Sequence, residues 1–155
     1  MFKNRFFKKG FTLIELLIVI GIIAILAGIV VIAVNPAKQF AEAKNAERRV
    51  EIKKILDAIN QYAIDRRGEM MSLLPAGYVT GTTINIVTSN SNGPTEIDLS
   101  PLVPIYMTPE VPIDPDSTST HDTGYDFIID NNGQMKISAP MAELGENIFN
   151  ATRAS

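Results

Sequence analysis

Hydrophobic positions follow different rhythms along this chain. Residues 16–34, LLIVIGIIAILAGIVVIAV, form nineteen apolar or glycine positions without a break. A helix rises about 1.5 Å per residue, so this run approaches the ~30 Å hydrocarbon thickness of a bilayer. A transmembrane helix is expected over residues 11–34. The rhythm then becomes helical and amphipathic. Ile52, Ile55, Leu56, Ile59 and Ala63 share one face, Tyr62 flanks it, and Phe40, Ala43 and Val50 extend it weakly toward the N-terminus. Lys44, Glu47, Arg48, Glu51, Lys54 and Asp65 fall on the opposite, solvated face. A helix is expected over residues 37–67, with Asn35 as N-cap and Pro36 at its first position. Arg66, Arg67 and Gly68 close it, cations at the negative end of the dipole and glycine as stop. Asn35 disfavours the helical region because a proline follows. A kinked continuous helix and two abutting helices both satisfy this pattern.

After Gly68 the period shortens. Residues 70–75 read as a helical turn or a loop. Residues 82–88, TTINIVT, alternate and are β-branched, as a strand requires. Residues 89–95 read as a polar turn, and 97–103 as a weak strand or loop. Pro104, Pro109, Pro112 and Pro115 then argue against regular sheet. The clearest β signal is residues 125–130 and 134–139 around Asn132-Gly133, a favoured hairpin turn. Tyr125, Phe127 and Ile129 share a face with Met135, Ile137 and Ala139, which needs cover from the Ile52–Ala63 stripe. Residues 141–155 are compatible with a short helix, a loop or a tail.

Charge sets the topology. Lys3, Arg5, Lys8 and Lys9 precede the apolar run with no acid among the first ten residues. That bias places the N-terminus in the cytoplasm and the rest outside. Without those ten residues, 10 basic groups face 17 acidic ones. From Gly68 onward only Lys136 and Arg153 oppose eleven acids, so this part does not suit nucleic acid. The basic cluster Arg48, Arg49, Lys53 and Lys54 is read as a solvated face or as pairing with acidic heads of other subunits. A secretory signal peptide would have a shorter apolar region and a small-residue cleavage site. A plain anchor fits the length but leaves Glu15, an acid at the edge of hydrocarbon, without a purpose.

KKGFTLIELLIVIGIIAILA resembles the N-terminus of type IV pilins and type II secretion pseudopilins. The resemblance covers residues 8–34. It implies that a membrane-embedded prepilin peptidase cuts after Gly10 and methylates the new amine of Phe11. It also implies that Glu15 aids the addition of subunits to a filament. Many relatives carry a proline inside the apolar run; this chain has none there. Many close a C-terminal loop with a disulfide, which a chain without cysteine cannot do. Gly21 and Gly28 suit ordinary membrane-helix composition, close helix–helix contact, or local loosening when the helix leaves lipid.

Little here reads as catalysis. His121 lies in the polar stretch STSTHDTG, and neighbouring loop residues do not make a triad. Asp114, Asp116, Asp122 and Asp126 could gather around Ca²⁺. That stretch resembles the calcium-binding loop of major pseudopilins, although a solvated acidic loop is the plainer reading. The expected fold is α+β: a long N-terminal helix, transmembrane then amphipathic, with a small antiparallel sheet packed on its C-terminal half. The expected segments are a leader at 1–10, an assembly helix at 11–34, an amphipathic helix at 35–67 and a β-rich head at 68–155. The function expected is that of a non-enzymatic subunit of a pilus or secretion pseudopilus. It would be anchored in the bacterial cytoplasmic membrane with its head outside and would partner other pilin or pseudopilin subunits. The alternative is a monomeric membrane-anchored binding module.

Overall fold

A computed structural model describes residues 10–66, 72–89 and 93–153 of the chain. Its elements run α1 (Leu13–Ala33), α2 (Pro36–Asp65), β1 (Ile84–Val87), β2 (Glu96–Asp98), β3 (Asp122–Ile129), β4 (Gln134–Ala139) and β5 (Ile148–Arg153). The residues up to Gln39 and those from Phe40 onward form separate compact units. Residues 1–9 of the expected leader, Arg67 and Gly68 lie outside the described residues, as do parts of 70–75, expected as a helical turn or a loop, and of 89–95, expected as a polar turn.

α1 begins and ends two and one residues inside the expected range, and none of its residues is buried. The helical pattern stops at Val34–Asn35 and restarts at Pro36, so the chain here has two helices. Asn35 caps the restart: its side-chain oxygen accepts the Lys38 N–H at 3.3 Å.

In the second unit, α2 lays its apolar stripe against a five-stranded sheet of order β2-β1-β3-β4-β5. The sheet is mostly antiparallel, as expected, with β1 and β2 alone pairing in parallel. The β3–β4 hairpin sets Phe127 opposite Ile137 and Ile129 opposite Met135. Those side chains meet Ile52, Ile55, Ile59 and Ala63 in one core. The turn is longer than a two-residue loop. Asp130 organises it by accepting the Asn132 and Gln134 N–H groups, each at 2.8 Å, and Gly133 supplies a φ of 73°. The Gln134 N–H holds the Asp130 carboxyl below its usual range.

Several expectations are overturned. Residues 148–153 form β5, a full strand along β4, where a helix, loop or tail was expected. The stretch 97–103, expected as a weak strand or loop, holds the end of β2 and then a 3₁₀ turn, Ser100–Leu102. Phe40 and Val50, expected to extend the buried stripe, are 70% and 68% exposed, and Ala43 is exposed as well. The stripe continues instead through Ala41, Asn45 and Arg48. Their spacing of four, three and four residues to Ile52 keeps to the same face. Arg48, expected on the solvated face, is fully buried.

Candidate functional site

The candidate processing and assembly site is the mouth of α1. Gly10 and Phe11 precede the helix without regular structure, and both are exposed, Phe11 at 90%. Thr12 is the N-cap, in an extended conformation that turns the chain into the helix. Its hydroxyl oxygen accepts the Glu15 N–H at 3.3 Å. The Glu15 Oε2 atom in turn accepts the Thr12 N–H and the Thr12 hydroxyl, each at 2.8 Å. This reciprocal capping box satisfies two backbone donors that a helix start leaves open. Sequence reading isolated Glu15 by its charge and missed this partnership, although T-x-x-E is a legible capping signal.

α1 offers its whole apolar surface to its surroundings. At 21 residues it is long and apolar enough to cross a membrane. Among the described residues, no atom outside the helix's own backbone and the adjoining residues lies within 4 Å of where a β-carbon at Gly21 or Gly28 would project.

The four aspartates picked out as possible calcium ligands have separate fates. Asp114 is fully buried and is gripped by Arg48, whose Nε and Nη2 donate to its two oxygens at 2.8 and 2.9 Å. Arg48 Nη2 also donates to Asp116 at 2.7 Å, and Nη1 donates to Asn45 at 3.0 Å. Lys44 reaches the other Asp116 oxygen at 2.5 Å. These cations hold the Asp116 carboxyl below its usual range, Lys44 more than Arg48, and Asp116 in turn raises Lys44. Asp122 accepts the Gly124 N–H at 2.9 Å. Asp126 is pushed upward, first by burial and then by the charge of Asp122. Among the described residues no three His, Cys, Asp or Glu side chains are grouped as a metal site would need.

Gly124 makes the Arg48–Asp114 pair possible. Its φ is +78°, and a β-carbon there would lie 3.0 Å from the Asp114 Cβ. Only a glycine lets β3 pass this close to the aspartate. The basic cluster of α2 is likewise dispersed within its own head: Arg49 pairs with Glu146 and Lys54 donates to the Thr108 carbonyl at 2.8 Å. The His121 Nε2 stands 3.6 Å from a Glu96 oxygen and has no hydrogen-bond partner among the described residues.

Together these features describe an α+β protein with an exposed apolar helix behind a capped, accessible N-terminal junction. Residues 5–31 match the family described as the prokaryotic N-terminal methylation motif, the signature of type IV pilin and pseudopilin precursors. Gly10, Phe11, Thr12 and Glu15 all fall inside that match. No curated protein and no solved structure matches the chain.

Proposed function

We propose that this chain is a structural subunit of a pilus-like filament or secretion pseudopilus, made as a membrane-anchored precursor. A prepilin peptidase cleaves after Gly10 and methylates Phe11, and the subunits then polymerise through α1 with their heads outward. The observation that carries this reading is the exposed Gly10–Phe11 junction, directly ahead of an unburied apolar helix and inside the methylation-motif match. Before assembly the bacterial cytoplasmic membrane covers α1, with the N-terminus in the cytoplasm. In a filament only other copies of α1 can cover it.

Glu15 gives the packing a register. A carboxylate among bundled apolar helices is costly unless a cation meets it. Cleavage creates such a cation, the amine of Phe11. A neighbour displaced along the axis brings its own amine to this Glu15, whose second oxygen remains available beside the Thr12 contacts on Oε2. Non-directional apolar packing alone would leave the register unset.

Mass spectrometry of the mature chain is expected to show an N-terminus at methylated Phe11, and Gly10→Val to block processing. Glu15→Val is expected to leave cleavage and membrane insertion intact and to abolish polymer. Full polymer yield from Glu15→Val would overturn the pairing of Glu15 with the Phe11 amine, while a wild-type chain that is processed and inserted but never polymerises would favour the alternative, a monomeric anchored binding module. An intact Met1 terminus on surface material would overturn the reading altogether. Catalysis has no part in this function.

A further inference from the structure

Leu144 is the one non-glycine residue with positive φ, 61°, among the described residues. A leucine there is sterically strained and, unlike asparagine, has no polar group to bond locally. The surrounding loop prevents it from relaxing. The side chain of Asn45, 1% exposed, accepts the Glu143 N–H at 3.0 Å and donates to the Glu143 carbonyl at 2.9 Å. Glu143 also meets Lys44 at 3.5 Å, and Glu146 pairs with Arg49. Gly145 follows with a φ of 70°. The result is a strapped tip that holds Leu144 out 52% exposed, with its flanking acids already neutralised. Such a tip loses little hydration of charge when it is covered.

A neighbouring face of α2 carries a complementary feature. A cleft of about 610 Å³ runs between α2 and segment 109–113, with Val50, Val111 and Ile113 among its apolar walls. Glu47, Glu51 and Glu110 line it against a single cation, Lys54, which already serves the Thr108 carbonyl. Burial disfavours the charge of Glu51, and Glu47 adds to the effect. The cleft is thus apolar and short of positive charge. The flank bearing the tip has what it lacks. Arg49 is already paired with Glu146, so the cation this flank offers is Lys53, exposed one turn further along with Asp57 a turn beyond.

We propose that the Leu144 tip of one copy, with Lys53 on the same flank, seats in the cleft between α2 and segment 109–113 of a second copy. The proposal rests on the filament reading above and deepens it by naming a contact between heads. Donor and acceptor surfaces lie on neighbouring faces of the same helix. The contact joins two different patches, so it is heterologous when each copy gives its tip to one neighbour and its cleft to another, and it extends into a filament where its rotation does not close a ring.

The chain has no cysteine, so introduced thiols report on this contact alone. The test uses the full-length protein in cells that process the precursor, with mild oxidation of sheared filaments. The double variant Leu144→Cys with Val50→Cys is expected to give a ladder of dimer, trimer and higher species, and each single variant only monomer. Leu144→Gly removes the apolar tip and relieves the strain, so the head should melt no lower than the wild type. Filament yield should nevertheless fall about tenfold, the effect of losing roughly 1.4 kcal/mol at a contact. No ladder from filaments that do form, dimers from a single variant, or an unchanged Leu144→Gly yield would each overturn the tip-to-cleft contact and leave the filament reading standing. Failure of the wild type to polymerise would overturn both.

Discussion

Arg48 shows what one residue can conceal. Removing a single partner from a buried ion pair leaves a charge out of water, which costs about 3–5 kcal/mol. Asp116 would still hold Arg48 after Asp114→Ala, so the lower end applies. In a fragment beginning at Pro36, urea unfolding is expected to show Asp114→Ala destabilised by about 3 kcal/mol. The double variant Arg48→Met with Asp114→Leu should regain most of that loss, because well-packed apolar groups often match a buried pair. Millimolar calcium should leave the unfolding of the unmodified fragment unchanged, since Arg48 already occupies both Asp114 oxygens. Glu51 behaves in the opposite sense. Burial raises its carboxyl above the ordinary 4.5, even though it accepts the Tyr125 hydroxyl. The folded state therefore holds that proton more tightly than the unfolded one. Stability falls as pH rises from about 4.5 through the folded value, and the penalty is complete above it. Glu51→Gln should remove this slope and raise the urea midpoint at pH 7 while keeping an acceptor for Tyr125. None of this was legible in sequence. Charge pattern placed Arg48 and Glu51 in water, and their partners lie 66 and 74 positions along the chain.

Among the elements, those with an unbroken period were legible. The Ile52–Ala63 stripe and the β3–β4 alternation each repeat enough to fix a face, and the structure joins those two faces in one core. Truncating Ile59, fully buried, to alanine should cost roughly 2–5 kcal/mol in urea unfolding of the same fragment. Gln61→Ala, on the exposed side of the same helix, should cost less than about 0.5 kcal/mol. β5 escaped because its alternation is chemically blurred. Ile148 is buried and Phe149 is half exposed under the Lys136 ammonium, 4.0 Å from its ring. Asn150 then sits across from Ile137, on the side facing the core. The N-terminal half of α2 was misread because apolar residues were counted there, whereas its buried face is made by Asn45 and Arg48. Polar residues can hold such positions only when distant loops satisfy them, and helix period does not reveal distant loops.

At the scale of the whole molecule, the residues proposed for processing and assembly are local. Gly10, Phe11 and Glu15 fall within six consecutive positions, so their roles could be proposed before any folding was known. The head is the reverse case, because its ties join residues far apart. Those ties also differ in how they meet salt. The Arg48–Asp114 pair lies wholly out of water, while Lys44–Asp116 and Arg49–Glu146 stand at the surface. Counter-ions gather around exposed charges within about 3 Å at 1 M ionic strength, and they reach buried ones far less. Raising sodium chloride from 0.1 to 1 M should therefore shrink the stability cost of Lys44→Ala and leave that of Asp114→Ala unchanged. A head stapled from within would keep its shape as readily in brine as in fresh water.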